Sequence, residues 1–149
     1  MKRILVAFAC ACAAACGGSN GGGKNLSNFL GAPWNGSITT NVPSCSGIPP
    51  QNETDQVTVT FSPGSGADLQ FTLGTGCTFE FNVSGNTASL ANSPTCTTMI
   101  NSITVTATWT TFTATTTDGH NLSMSASGSG TAQGFPVACP FTQTGTATR

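Results

Sequence analysis

Five carboxylates, one histidine and seven cysteines hold almost all the reactive chemistry in the 149 residues of this chain. His120 follows the Asp118-Gly119 pair, so a Ser-His-Asp relay can be written on paper. It would sit on a tight hairpin tip with neither a pocket nor oxyanion donors. His120 therefore reads as an exposed turn residue. Glu80 alternates with Phe79 and Phe81, which puts it on a solvated face with Gln70 and Thr60 as lateral neighbours. Glu53 and Asp55 flank a long loop and could touch a cation, but a calcium cage needs more oxygen ligands than two carboxylates supply. Cys45, Cys77, Cys96 and Cys139 lack C-x-x-C spacing, so disulfides are expected rather than zinc. The reading is of a chain that is not an enzyme, with no catalytic residues, no metal and no cofactor.

Composition narrows the classes further. Charged residues make up 6% of the chain, against roughly 25% in an ordinary soluble domain. There are 26 Thr, 15 Ser and 18 Gly, with no Tyr and a formal net charge of −1. Nucleic-acid binding wants a basic stripe, which is missing. A helical bundle wants Leu, Glu and Lys, scarce beyond the first sixteen residues. One domain fits the length.

The beginning of the chain reads as an address. Lys2 and Arg3 precede an apolar run, Ile4 to Ala15, well short of the ~20 residues that span a bilayer. That is the pattern of an export signal over residues 1–15. Ala13-Ala14-Ala15-Cys16 resembles the bacterial lipobox, in which a small residue precedes the cysteine that becomes lipidated; it can also be read as an A-x-A cleavage site. The resemblance implies a lipid on Cys16, a membrane partner and a place in the bacterial cell envelope, at the outer membrane or cell surface. Residues 16–25, rich in Gly, Ser and Asn, then read as a flexible tether. Cysteine parity agrees, because cleavage before Cys16 leaves five cysteines in an exported chain, and one must be committed elsewhere.

Residues 26–149 read as one all-β domain. From Trp34 onward apolar and polar residues alternate with the period of half-buried strands. The expected strands are 34–42, 54–62, 68–73, 77–84, 87–92, 103–116, 120–133 and 139–148. Short turns fix their register. A loop at 63–67 sets Phe61 opposite Leu69. Gly74-Thr75-Gly76 sets Phe71 opposite Phe79, and Gly85-Asn86 sets Val83 opposite Ala88. Trp109 and Phe112 fall on opposite parities, so a bulge near Thr110-Thr111 is required to bring both inward. Thr117-Asp118-Gly119 then places Ala114 opposite Leu122, and brings Trp109 to Ser127, flanked by the side-chain-free Gly128 and beside Gly130. An even up-and-down meander can close into an eight-stranded antiparallel barrel. The alternative is a two-sheet β-sandwich.

Alternating strand direction gathers all four domain cysteines at one rim, together with the long loops 43–53 and 93–102. Lateral neighbours at that rim pair as Cys77–Cys96 and Cys45–Cys139. The opposite rim has tight turns, with Trp34 opening the first strand and Arg149 following the last. Gly31-Ala32-Pro33-Trp34 with a late Arg resembles the lipocalin arrangement, in which a tryptophan packs under a basic residue and closes one end of the barrel. The shape is also similar to the avidin-like barrels. Phe61, Phe71, Phe79, Phe81 and Trp109 would then line a cavity or simply fill it, because eight strands enclose room for side chains or one small ligand. The functional expectation is a membrane-anchored binding module for a small apolar ligand, or for a protein partner's loop, at the long-loop rim. The alternative is a structural or surface-coat lipoprotein with a solid barrel.

Overall fold

A computed structural model describes residues 23–45, 49–73, 76–100 and 103–149. The expected signal, Cys16 and most of the tether lie outside the described residues. After a single 3-10 turn, Leu26–Asn28, come ten strands: β1 (Trp34–Val42), β2 (Gln51–Val59), β3 (Ser62–Pro63), β4 (Leu69–Thr72), β5 (Thr78–Ser84), β6 (Thr87–Leu90), β7 (Thr95–Ile100), β8 (Ile103–Thr115), β9 (Asn121–Ala132) and β10 (Phe135–Thr148). They form one antiparallel sheet in the order β2-β1-β10-β9-β8-β6-β5-β4-β3, with β7 on β8. The all-β class stands. A two-sheet sandwich does not describe it, and neither does a closed eight-stranded barrel: the sheet curls into an open half-barrel.

Nine of the ten strands fall on the eight expected segments, and β7 is the addition. β6 and β7 both lie along the edge of β8 away from β9, β6 against Thr113–Thr115 and β7 against Ile103–Thr108. The stretch expected as an irregular loop at 93–102 is thus largely a strand, rich in threonines that pair across to β8. β2 and β3 are likewise one run of chain, interrupted at Thr60-Phe61, where Phe61 forms a parallel bridge with Leu30. β1 pairs with both β2 and β10, so the first and last segments of the meander are joined as closure requires.

The ring opens between β2 and β4. Only Ser62 and Pro63 reach β4, as Ser62↔Gln70 and Pro63↔Leu69. That is two residues out of the expected register, which set Phe61 opposite Leu69. The physical reason lies in β2 itself. Strand alternation puts Glu53 and Asp55 on the same face as the inward Val57 and Val59, and both carboxylates are exposed. Closing the seam over them would bury charge without a partner, and inward-pointing charge is a recognised way of keeping a strand edge free.

Elsewhere the turn logic holds. Phe71↔Phe79 and Val83↔Ala88 pair as expected. The β8–β9 hairpin is again two residues out, with Ala114 opposite Met124 rather than Leu122. Its turn is longer, because Thr116 Oγ1 accepts from Gly119 N at 3.1 Å and draws Thr116 into the turn. The bulge falls between Trp109 and Thr111, so both Trp109 and Phe112 face inward. Outside, threonine hydroxyls replace ion pairs: Thr39–Thr54 at 2.8 Å, Thr95–Thr108 at 2.9 Å and Thr97–Thr106 at 3.0 Å are directly opposed partners. Such cross-strand pairs each add a few tenths of a kcal/mol, up to about 1, on an outer face with few charges.

Gly128 sits between Trp109 on β8 and Phe141 on β10, level with both. A Cβ there would meet Phe141 Cζ at 2.6 Å and also the Thr108 carbonyl oxygen. Replacing Gly128 by Ala should therefore destabilise the fold by about 1–3 kcal/mol through overpacking. Chemical denaturation of the variant checks this, and an unchanged midpoint would contradict the register.

Candidate functional site

The two ends of the half-barrel differ in how they are filled. At the short-turn end, Phe29 and Trp34 are fully buried. Trp34 Nε1 donates to the Phe29 carbonyl at 3.1 Å, fixing the 3-10 segment as a plug. The Arg149 guanidinium lies over the Trp34 ring, 4.3 Å from its centroid. It also donates to a cluster of backbone carbonyls: Nη1 to Leu30 at 2.6 Å, Nη2 to Asn28 at 3.0 Å and Nε to Gly119 at 2.7 Å. The last of these ties the plug to the β8–β9 turn. That turn is held by Asp118, whose carboxylate accepts from Asn121 N and His120 N, both at 2.8 Å, and from Asn121 Nδ2 at 2.6 Å. These donors hold the Asp118 carboxyl well below the usual carboxylate range. Asp118 is thus engaged with its own turn rather than with the His120 imidazole. Lys24 bridges to Asp68 at 2.7 Å at the same end; with the Val83 N–H, it holds the Asp68 carboxyl below its ordinary value.

Above the plug the axis is packed with rings. Phe29 meets Phe61 at 5.7 Å, Phe61 meets Phe71 at 5.7 Å and Phe81 at 5.8 Å, and Phe71 stacks on Phe79 at 4.8 Å. Phe112 closes this cluster against Phe79 and Phe81. The column continues through Phe79–Trp109 at 5.1 Å to Trp109–Phe141 at 5.3 Å. Of the five residues expected to line a cavity, Phe61 and Phe81 are buried inside this packing. Phe71, Phe79 and Trp109 lie at its upper boundary, where open space begins.

Two hollows occupy the other half of the concave face. One, of about 250 Å³, lies beneath the cysteine rim and is lined by Val42, Val105, Ala107, Ala132, Val137 and Phe141, among others. The second, of about 340 Å³, lies along the β2–β4 seam between Val57, Val59 and Asp55 on one side and Phe71, Leu73 and Phe79 on the other. They share Thr40, Trp109 and Gln143 as a common wall. Those three side chains form a polar crossbar on an otherwise apolar surface: Trp109 Nε1 donates to Gln143 Oε1 at 3.0 Å, and Gln143 Nε2 donates to Thr40 Oγ1 at 3.0 Å.

The rim is stapled as the strand directions require. Cys45–Cys139 joins β1 to β10, with Cα atoms 5.7 Å apart, and Cys77–Cys96 joins the start of β5 to β7, at 5.5 Å. None of the four is left to bind a metal, and the bridges mark an oxidising, extracytoplasmic compartment. Among the described residues no helix is long and apolar enough to cross a membrane. The crossbar, with Gln143 as its centre, is the feature that sequence reasoning missed; an isolated Gln on the inward parity of a Thr-rich strand was its only signal. No protein-family model, curated protein or solved structure matches this chain.

Arg149→Ala should cost at least ~2 kcal/mol, since it removes charge-assisted hydrogen bonds to several carbonyls as well as the cation–π contact. Arg149→Lys should recover less than half of the loss, because an ammonium cannot reproduce the planar fork. Denaturant midpoints, read together with the near-ultraviolet signal of Trp34, test both variants. Full recovery by Lys would show that charge alone closes this end.

Proposed function

We propose that this chain is a non-catalytic binding module of the bacterial cell envelope, carried on a lipid attached to Cys16, which takes a small apolar ligand in the open half of its sheet. The observation that carries the ligand reading is the contrast along the axis. One half is filled by phenylalanine rings, whereas the other leaves apolar hollows of about 250 and 340 Å³ sharing a wall. Ligand sites commonly have a total volume of ~300–1,000 Å³, mostly apolar walls and a few placed polar groups. Trp109, Gln143 and Thr40 are such groups. The closed end supports the lipocalin-like reading, because a tryptophan under a late arginine closes the end of the half-barrel opposite the hollows.

The anchor reading rests on Ala13-Ala14-Ala15-Cys16 and on parity. With Cys45–Cys139 and Cys77–Cys96 formed, Cys16 is the one cysteine of a chain cleaved before it that the bridges do not use. A tether of Gly, Ser and Asn would then hold the domain off the membrane.

Two measurements test the proposal. An uncharged hydrophobic probe, decanol, should raise the melting temperature and change tryptophan fluorescence, and Ala107→Phe, which fills the rim hollow, should weaken that binding by ~10-fold or more, equivalent to about 1.4 kcal/mol. Indifference to decanol would favour a purely structural lipoprotein. In cells, Cys16→Ser should abolish lipid labelling and release the protein from the membrane fraction; a variant still anchored with unchanged mass would refute the anchor.

A further inference from the structure

Charge is distributed unevenly along the half-barrel. The two cations among the described residues, Lys24 and Arg149, both lie at the closed end, where Lys24 meets Asp68 at 2.7 Å and Arg149 is spent on backbone carbonyls. At the open side the charges are all negative. Asp55 lines the seam hollow, paired in register with Ile38, while Glu53 stands one inward position further along β2, beside Thr40. Glu80 belongs to the outer face, opposite Gln70 on β4.

The hollow itself offers an anion no positive charge. Gln143 spends its carbonyl on Trp109 and one amide N–H on Thr40, and no Lys, Arg or His lines the space. A carboxylate or phosphate head would exchange water for neutral donors alone, the Thr40 and Thr58 hydroxyls and one Gln143 N–H, and would face two carboxylates across the seam. A cationic head meets the reverse situation. Asp55 and Glu53 attract it.

We propose that the seam selects its ligand by charge. It takes an amphiphile with a cationic head, seated at Asp55, and an apolar chain lying against Phe71, Phe79 and Trp109, and it rejects carboxylate-headed amphiphiles. This rests on the ligand reading above and adds the ligand's chemical class to it.

Three decyl probes separate the two claims on the intact domain at pH 7 and low salt: decyltrimethylammonium, decanol and decanoate, each followed by tryptophan fluorescence and melting temperature. Decyltrimethylammonium should bind at least ~10-fold more tightly than decanoate. The gap should shrink as salt rises, because the seam is open to solvent. In the double variant Glu53→Gln, Asp55→Asn the ratio of decyltrimethylammonium to decanoate affinity should fall towards 1; both positions are exposed, so the fold should persist. Decanoate binding as tightly as the cation, or a gap that survives in the double variant or at high salt, overturns charge selection and leaves the apolar site standing. Failure of all three probes, decanol included, overturns the site and the selection together.

Discussion

A single guanidinium decides which end of this sheet is closed. Arg149 covers the Trp34 ring at 4.3 Å and reaches carbonyls of both the 3-10 plug and the β8–β9 turn. Those carbonyls belong to segments distant in sequence that share no ladder with one another. Without a multidentate donor they would need water, and water there would enter above Phe29. Arg can serve them together because its five N–H groups are held in a rigid plane. Once the plug is seated, Phe29 presents an edge to Phe61, and the aromatic column has a floor to build on. Filling one half of the axis from that floor leaves the unfilled space at the other end.

The open end follows from an opposite constraint. Its walls are apolar, but its edge strand carries inward carboxylates, so the seam between β2 and β4 cannot zip shut without desolvating them. The same low charge count that makes the chain unusual makes this decisive: with both described cations at the far end, nothing on the open side can neutralise Glu53 and Asp55. Paired threonine hydroxyls, rather than charges, join strands along the outer face. The disulfides brace this end, where no plug is found among the described residues.

Much of this architecture could be read from residue order. Turn chemistry at Gly85-Asn86 gave the β5–β6 register because a two-residue turn leaves little choice, and a parity change between Trp109 and Phe112 demanded the bulge that exists. Strand direction placed the four cysteines at one rim, and the lateral neighbours there, set by the Gly85-Asn86 turn and by joining the first strand to the last, were the right pairs. What failed was loop length. The 64–68 and 116–120 turns each recruit flanking residues through specific contacts, Gly64 N to Asp68 O and Gly119 N to Thr116 Oγ1. A two-residue slip preserves the buried face, so the apolar pattern cannot detect it. The open seam was also written in the sequence, as two carboxylates on the parity of Val57 and Val59, but the apolar members of that alternation masked it. The Thr40–Gln143–Trp109 crossbar depends on three strands meeting, which no local pattern reports.

Xenon tests the division of the axis most directly, because it enters accessible apolar space regardless of chemistry. Methyl NMR under xenon pressure reads the whole axis at once. Saturating shifts are expected at Val42, Val57 and Val105, which border the two hollows, with none at Leu69, Val83 and Leu122 in the packed half. Shifts at the second group, or silence at the first, would contradict a molecule solid at one end and open at the other.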